Sequence, residues 1–259
     1  MVLHRAFGAA PIESGPHDVA PADEGAERFM RDAEIGDGWL HPQASNATFI
    51  VELALGTTRA LGVYKPRSGE APLWDFPPGT LHRRECAAYV LSRLLGWNFV
   101  PPTVLRDGEA GIGSVQLFVP AAGDSNFFTL REEHPDETLR MAVFDVVANN
   151  ADRKGGHCFV GPDGGVWGLD HGLTFNVEHK LRTVIWDFAG SAVPDPLLQD
   201  LRRLHEALRT ENSDASAGLG ALLAPGEMDA LRSRVGALLE RPELPAGPHS
   251  RRDLPWPWL

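Results

Sequence analysis

Asn149-Asn150-Ala151-Asp152-Arg153-Lys154-Gly155-Gly156-His157, followed by Gly168-Leu169-Asp170-His171-Gly172, is the stretch that decides how this chain is read. Just before it, Leu139, Ala142, Val143, Val146 and Val147 recur at helical spacing. They predict a helix over 138–147 that stops at the asparagine pair and delivers the chain into a polar loop holding Asp152. Beyond the loop, two short apolar runs at 158–160 and 166–169 flank Pro162-Asp163-Gly164-Gly165, a strong turn signal, and predict a β-hairpin. With a four-residue turn between Gly161 and Val166, Cys158 pairs with Leu169 and His157 faces Asp170. Directly opposed residues of a ladder put their side chains on one face. Two ligand-type side chains thus meet, with the acidic Asp152 one loop away, an arrangement suited to a metal ion and the phosphate it carries. Taken singly, Asp-Gly and Asn-Asn only mark turns; the ordered set is what points to chemistry.

Working outward, the first half of the chain reads as strand-rich. A short helix is expected over 24–33, then strands over 35–40, 47–55 and 60–64, rich in β-branched and aromatic residues. Gly56-Thr57-Thr58 suits a hairpin turn. Ala87, Val90, Leu91, Leu94 and Leu95 form one apolar stripe of a helix over 81–95, ended by Gly96. Two more strands follow at 100–105 and 112–119. Pro120-Ala121-Ala122-Gly123 is the expected hinge to a helix-rich second half, with amphipathic helices over 197–208 and 227–239. The expected organisation is a disordered lead-in over 1–24, a strand-rich N-lobe over 25–120 and a helix-rich C-lobe over 121–259, an α+β architecture.

Composition sets limits on function. The chain has 259 residues, 43% apolar and 23% charged, ordinary for a globular protein with one large domain or two lobes. No segment approaches the roughly 18–20 continuous apolar residues of a membrane span, and no apolar run follows Arg5 as in a secretory signal. Two cysteines, Cys86 and Cys158, fit a reducing compartment, so a cytoplasmic location is expected. A formal net charge of -11 argues against nucleic acid or an anionic membrane face as the main partner.

The order Asp152, then His157 five residues on, then Asp170-x-Gly172 after a short hairpin resembles the catalytic and metal-binding loops of phosphatidylinositol 3-/4-kinase-related proteins. The style is that of the type II phosphatidylinositol 4-kinases, and it is similar to the HipA-type bacterial kinases and to a family of actinobacterial kinase-like proteins of unknown function. The similarity runs over about 35–189. It implies a two-lobed protein-kinase-like fold that binds ATP with Mg²⁺ or Mn²⁺ between its lobes. Asp152 is implied as the catalytic base, and Asp170 with His157 as the metal site. Lys65 at a strand end is implied to hold the α/β-phosphates, oriented by Glu85 on the next helix. Ser45 and Asn46 lie where a phosphate-covering loop belongs, and Gln116 and Phe118 on the adenine-binding connector over 114–119.

One departure stands out. The resemblance calls for a metal-binding Asn where this chain has His157, and imidazole is a softer ligand than Mg²⁺ prefers. Three functions therefore stay open: phosphoryl transfer to a small molecule, lipid head group or protein hydroxyl; AMP transfer; and a non-catalytic nucleotide-binding scaffold. A modest basic cluster of His179, Lys180 and Arg182 in the segment after Asp170 is suited to meeting a phosphate, but is too small to specify a phosphoinositide.

Overall fold

β-Branched and aromatic residues recur over 49–64 and form the middle of an antiparallel sheet. In the computed structural model, which describes residues 17–41, 46–211 and 213–259, β1 (Glu34–Leu40), β2 (Phe49–Leu55), β3 (Thr58–Pro66), β4 (Thr103–Gly108) and β5 (Gly111–Leu117) lie in the order β1-β2-β3-β5-β4. The β2–β3 hairpin closes over Gly56 and Thr57 between the paired Leu55 and Thr58. Gly56 has φ of 60°, the positive value that the first central residue of a II′ turn demands. One sheet face carries Val51, Leu53, Ala60, Tyr64, Val115 and Leu117. Phe29 and Met30 of α1 (Ala26–Asp32) pack into it. Burying each such side chain contributes about 1.5–3 kcal/mol.

The disordered lead-in expected over 1–24 lies partly outside the described residues; its described part, 17–24, is tied to the sheet. Asp18 donates its N–H to the Arg59 carbonyl at 2.9 Å, its carboxylate accepts the Arg59 N–H at 2.7 Å, and Val19 packs on the sheet core. The reason is local: β5 pairs with β3 only from Gly62 onward. The backbone of Arg59 therefore needs a partner on that side, and Asp18 supplies it.

The chain divides into two compact units. One holds the described residues up to Cys86 together with Pro101–Pro120; the other holds Ala87–Val100 and Ala121–Leu259. The division at 120/121 falls inside the glycine- and proline-containing stretch singled out above as a hinge. Residues 87–100, numbered within the N-lobe at 25–120, cluster with the second unit because Leu91, Leu95, Trp97 and Phe99 are part of its core. The division therefore cuts through α2 (Leu81–Leu94).

In the second unit, α4 (Pro135–Ala148) is central. Met141, Val143, Phe144 and Val147 are wholly buried beside Leu201, Leu204 and Leu208 of α5 (Asp195–Arg209) and Leu231, Val235 and Leu238 of α7 (Pro225–Glu240). Two seven-residue helices, α3 (Phe127–Glu133) and α6 (Asp214–Gly220), were not expected. Both start on side-chain caps: Asn126 accepts the Phe128 N–H, and Ser213 accepts the Ser216 N–H.

The hairpin β6 (Cys158–Val160) and β7 (Val166–Gly168) forms, but one residue out of the expected register. Cys158 pairs with Gly168, not Leu169, and Val160 with Val166. Gly161 donates to Gly165 at 2.8 Å, leaving a three-residue turn whose last member, Gly164, has φ of 77°. A three-residue turn ending in a left-handed glycine is a favoured hairpin closure. It outcompetes the four-residue turn read from the sequence. No helix among the described residues is long and apolar enough to cross a membrane.

Candidate active site

The loop that carries Asp152 begins where α4 is made to stop. Asn149 adopts a left-handed conformation (φ 52°), which Asn tolerates better than most residues. Its side chain donates to the Asn176 and Glu178 carbonyls and accepts the Lys180 N–H. The following residues are threaded between two segments. Ala151 N–H bonds Leu173 C=O, Arg153 N–H bonds Arg182 C=O, and Val184 N–H bonds Arg153 C=O. Gly155 donates to the Trp258 carbonyl at 2.6 Å, and a Cβ there would lie 2.8 Å from Phe128 Cε2. Any larger residue would have to displace the partly exposed Phe128 ring.

Asp152 is 24% exposed and its Oδ2 lies 2.9 Å from Lys154 Nζ. Burial pushes its carboxyl above the ordinary aspartate range. Lys154 pulls it back, the Asp170 charge pushes it further up, and Arg182 opposes. Asp152 and Asp170 therefore sense one another. Asp170 is itself left-handed (φ 56°), a conformation that costs a non-glycine residue about 1 kcal/mol or more. Its side chain remains 49% exposed.

The slipped register puts His157 opposite Leu169, whose N–H donates to the His157 carbonyl at 2.9 Å. His157 and Asp170 meet all the same, with Nε2 3.4 Å from Oδ2. They do so because both lie beyond the ladder, His157 at the end of a 3₁₀ turn (Gly155–His157) and Asp170 in its left-handed bend. The other ring nitrogen, Nδ1, accepts the Lys154 N–H at 3.4 Å. In the neutral ring the proton accordingly sits on Nε2, toward Asp170.

In the first unit, Lys65 Nζ pairs with Glu85 Oε1. The lysine side chain is 23% exposed and the carboxylate only 4%. Glu85 is thus not a water-facing residue of α2. Lys65 pairs with Ser114 and Val63 with Gln116 across β3 and β5, so Lys65 and Gln116 share the sheet face opposite the α1-packed core. Gln116 is buried and donates its amide to Thr103 Oγ1 at 2.8 Å, so that donor serves the sheet. Phe118 donates its N–H to Leu61 C=O and stacks its ring on His17 at 6.0 Å. Asn46 accepts the Ala71 N–H at 2.8 Å, which braces its own loop. Ser45 lies outside the described residues. The basic cluster disperses. The charge of Arg182 reaches Asp152, and Lys180 lies 3.5 Å from Glu178. His179 lines a separate cavity of about 420 Å³ with Arg234 and Arg241.

Two residues that sequence reasoning passed over, Asp145 and Arg153, form a fully buried ion pair at 2.9 Å directly behind Asp152. The sequence signal was faint: a charged residue inside the apolar run of α4, eight positions before an arginine. Among the described residues no three His, Cys, Asp or Glu side chains form a metal-binding group by themselves.

This chain has the kinase-like α+β fold. The crystal structure of the Golgi casein kinase superposes with a TM-score of 0.51 over 85% of this chain and 74% of that one, at 15% identity. At the sequence level the chain is 45% identical over 249 aligned residues to protein Rv2133c of Mycobacterium tuberculosis, covering 83% of this chain and 88% of that protein. It belongs to the family of that mycobacterial protein. It is also 32% identical over 111 residues to phosphatidylinositol 4-kinase gamma 4 of rice (Oryza sativa subsp. japonica), covering 37% of this chain but only 19% of the rice protein. No protein-family model matches the chain.

Proposed function

We propose that this chain is an ATP- and divalent-metal-dependent phosphotransferase acting on an acceptor hydroxyl. The observation that carries the reading is the Lys65–Glu85 pair, since a strand lysine held by a nearly buried helix carboxylate has little to do as surface decoration. The kinase-like fold supports the reading, and so do Asp152 and Asp170, two carboxylates close enough to perturb one another.

The residues present fit a hard divalent cation. Mg²⁺ is usually bound through one or two carboxylates plus substrate phosphates and water, not by an all-protein cage. The half-exposed Asp170 matches that donor set, and the repulsion it exerts on Asp152 is what a nearby dication relieves. A bound Mg²⁺ or Mn²⁺ supplies neutralisation of charge on the phosphates. Asp170 would hold the ion, and His157, with Nε2 3.4 Å from Asp170 Oδ2, would steady that carboxylate. Lys65 positions the phosphate chain while Glu85 fixes its ammonium. Asp152 orients the attacking hydroxyl and accepts its proton, and its raised pKa is the right direction for a general base near neutral pH. Placement and charge stabilisation do most of the catalysis.

Incubation with ATP labelled at either the α- or the γ-phosphate, with Mg²⁺ or Mn²⁺ and cell extract as the acceptor source, tests the reading. Transfer of the γ label supports it. Transfer of the α label instead makes the chain an AMP transferase, and transfer of neither makes it a nucleotide-binding scaffold.

A further inference from the structure

Arginine is almost never fully buried unless paired, and the Arg153 side chain is 0% exposed although it directly follows the partly exposed Asp152. All three of its nitrogens are engaged. Nε donates to both oxygens of Asp145 at 3.2 and 3.1 Å, and Nη2 to Oδ1 at 2.9 Å. Nη1 donates to the Leu169 carbonyl at 3.1 Å, and Nη2 lies 2.8 Å from His171 Nε2. A guanidinium only donates, so His171 Nε2 accepts and that ring is neutral, with its proton on Nδ1. Asp145 is anchored in turn by Asn150 Nδ2 at 2.9 Å and Thr183 Oγ1 at 3.2 Å. Leu169 and His171 are the two residues that bracket Asp170, and Arg153 directly follows Asp152. One rigid planar group is therefore bonded on either side of the left-handed Asp170 and is covalently adjacent to Asp152.

We propose that Arg153 is a positioning residue: anchored on Asp145, it fixes Asp152 and Asp170 relative to each other and holds Asp170 in its left-handed conformation. The inference rests on the reading of those two aspartates as the working carboxylates. Stability alone does not account for the arrangement. A buried ion pair adds little over well-packed apolar residues of similar size, and such a pair has no need to reach the two residues flanking a half-exposed aspartate. Lysine keeps the charge, but its single ammonium cannot span Asp145, Leu169 and His171 together.

The test uses the full chain as wild type, Arg153→Lys, and the double variant Asp145→Leu/Arg153→Met, which replaces the pair by apolar side chains. Two readouts apply: amide hydrogen exchange, and calorimetric binding of ATP with and without Mn²⁺. In Arg153→Lys, exchange over 150–157 and 168–173 is expected to rise on the order of tenfold, with α5 and α7 unchanged. Mn²⁺-dependent ATP affinity is expected to fall by a similar factor. The double variant is expected to melt lower than wild type, because Asn150, Thr183, His171 and the Leu169 carbonyl lose their partners. It is also expected to show the same localised loop exchange and weakened Mn²⁺·ATP binding, with α5 and α7 unchanged. Wild-type loop exchange and affinity in the double variant would reduce the pair to core filling and overturn the proposal, as would exchange that rises evenly over the whole chain in both variants. Absence of Mn²⁺·ATP binding by the wild type would sink the phosphotransferase reading instead, while the loop exchange still decides the role of Arg153.

Discussion

His157 Nε2 stands 3.4 Å from Asp170 Oδ2 while Nδ1 of the same ring accepts the Lys154 amide proton. A ring held this way turns its Nε2–H toward Asp170; as a metal ligand it has first to lose that proton. The residue that departs from the resemblance is therefore better placed to orient Asp170, the carboxylate proposed to hold the metal, than to replace a metal-binding Asn. His157→Asn is expected to leave the Mn²⁺/Mg²⁺ selectivity of ATP binding unchanged, and His157→Ala to weaken binding with either metal by several-fold. Metal titrations of the three proteins check this. A shift of His157→Asn toward Mg²⁺ would show that the imidazole itself binds the ion, because nitrogen ligands favour Mn²⁺ over Mg²⁺.

Asp152→Asn is expected to abolish transfer and raise stability at neutral pH. The carboxyl of Asp152 is raised above its ordinary value, chiefly by burial. Between the ordinary and the raised value the folded protein holds more protons than the unfolded one, so stability falls as pH rises through that window. Above it the loss is complete and constant; below the ordinary aspartate value it is absent. Asparagine does not ionise and escapes the loss. Calorimetric melting at pH 7 and at pH 3 measures the effect: the variant melts higher than wild type at pH 7 only. A variant that melts lower at pH 7 contradicts the assignment.

Lys65→Met leaves the Glu85 carboxylate buried without its ammonium. The expected destabilisation is about 3 kcal/mol, because removing one partner strands a buried charge. Adding Glu85→Gln removes that charge, so the double variant is expected to recover roughly half of the loss. Urea unfolding of the two single variants and the double one reads the coupling. Additive single effects would mean the pair is a weak surface contact.

How much of this was legible beforehand follows from what each element advertises. The sheet strands, α2, α4, α5 and α7 carry long apolar periods. α3 and α6 are seven residues each, too short for a period to show, although Asn126 followed by Thr129 was a readable cap. The β6–β7 hairpin was legible but its register was not, since Gly161, Gly164 and Gly165 permit several turn lengths. Asp152 and Asp170 stood out as part of an ordered set, whereas Lys65 and Glu85 were singled out only through the resemblance. Asp145 and Arg153 did not, because a charged residue reads as solvent-facing until its partner is known, and theirs is eight positions away. The Gln116 amide went to Thr103 for a related reason: sequence shows a donor but not the neighbour that uses it.

The most direct measurement is calorimetric titration of ATP into wild type and Asp170→Asn, each with and without Mg²⁺ or Mn²⁺. Asp170 is half exposed, so the substitution removes charge at little cost in packing and is expected to leave the fold intact. The account expects wild type to bind ATP with a divalent metal and at least tenfold more weakly without it. It expects Asp170→Asn to bind equally weakly in both conditions. Metal-dependent ATP affinity in Asp170→Asn equal to that of wild type, or no ATP binding by wild type under any condition, would contradict it.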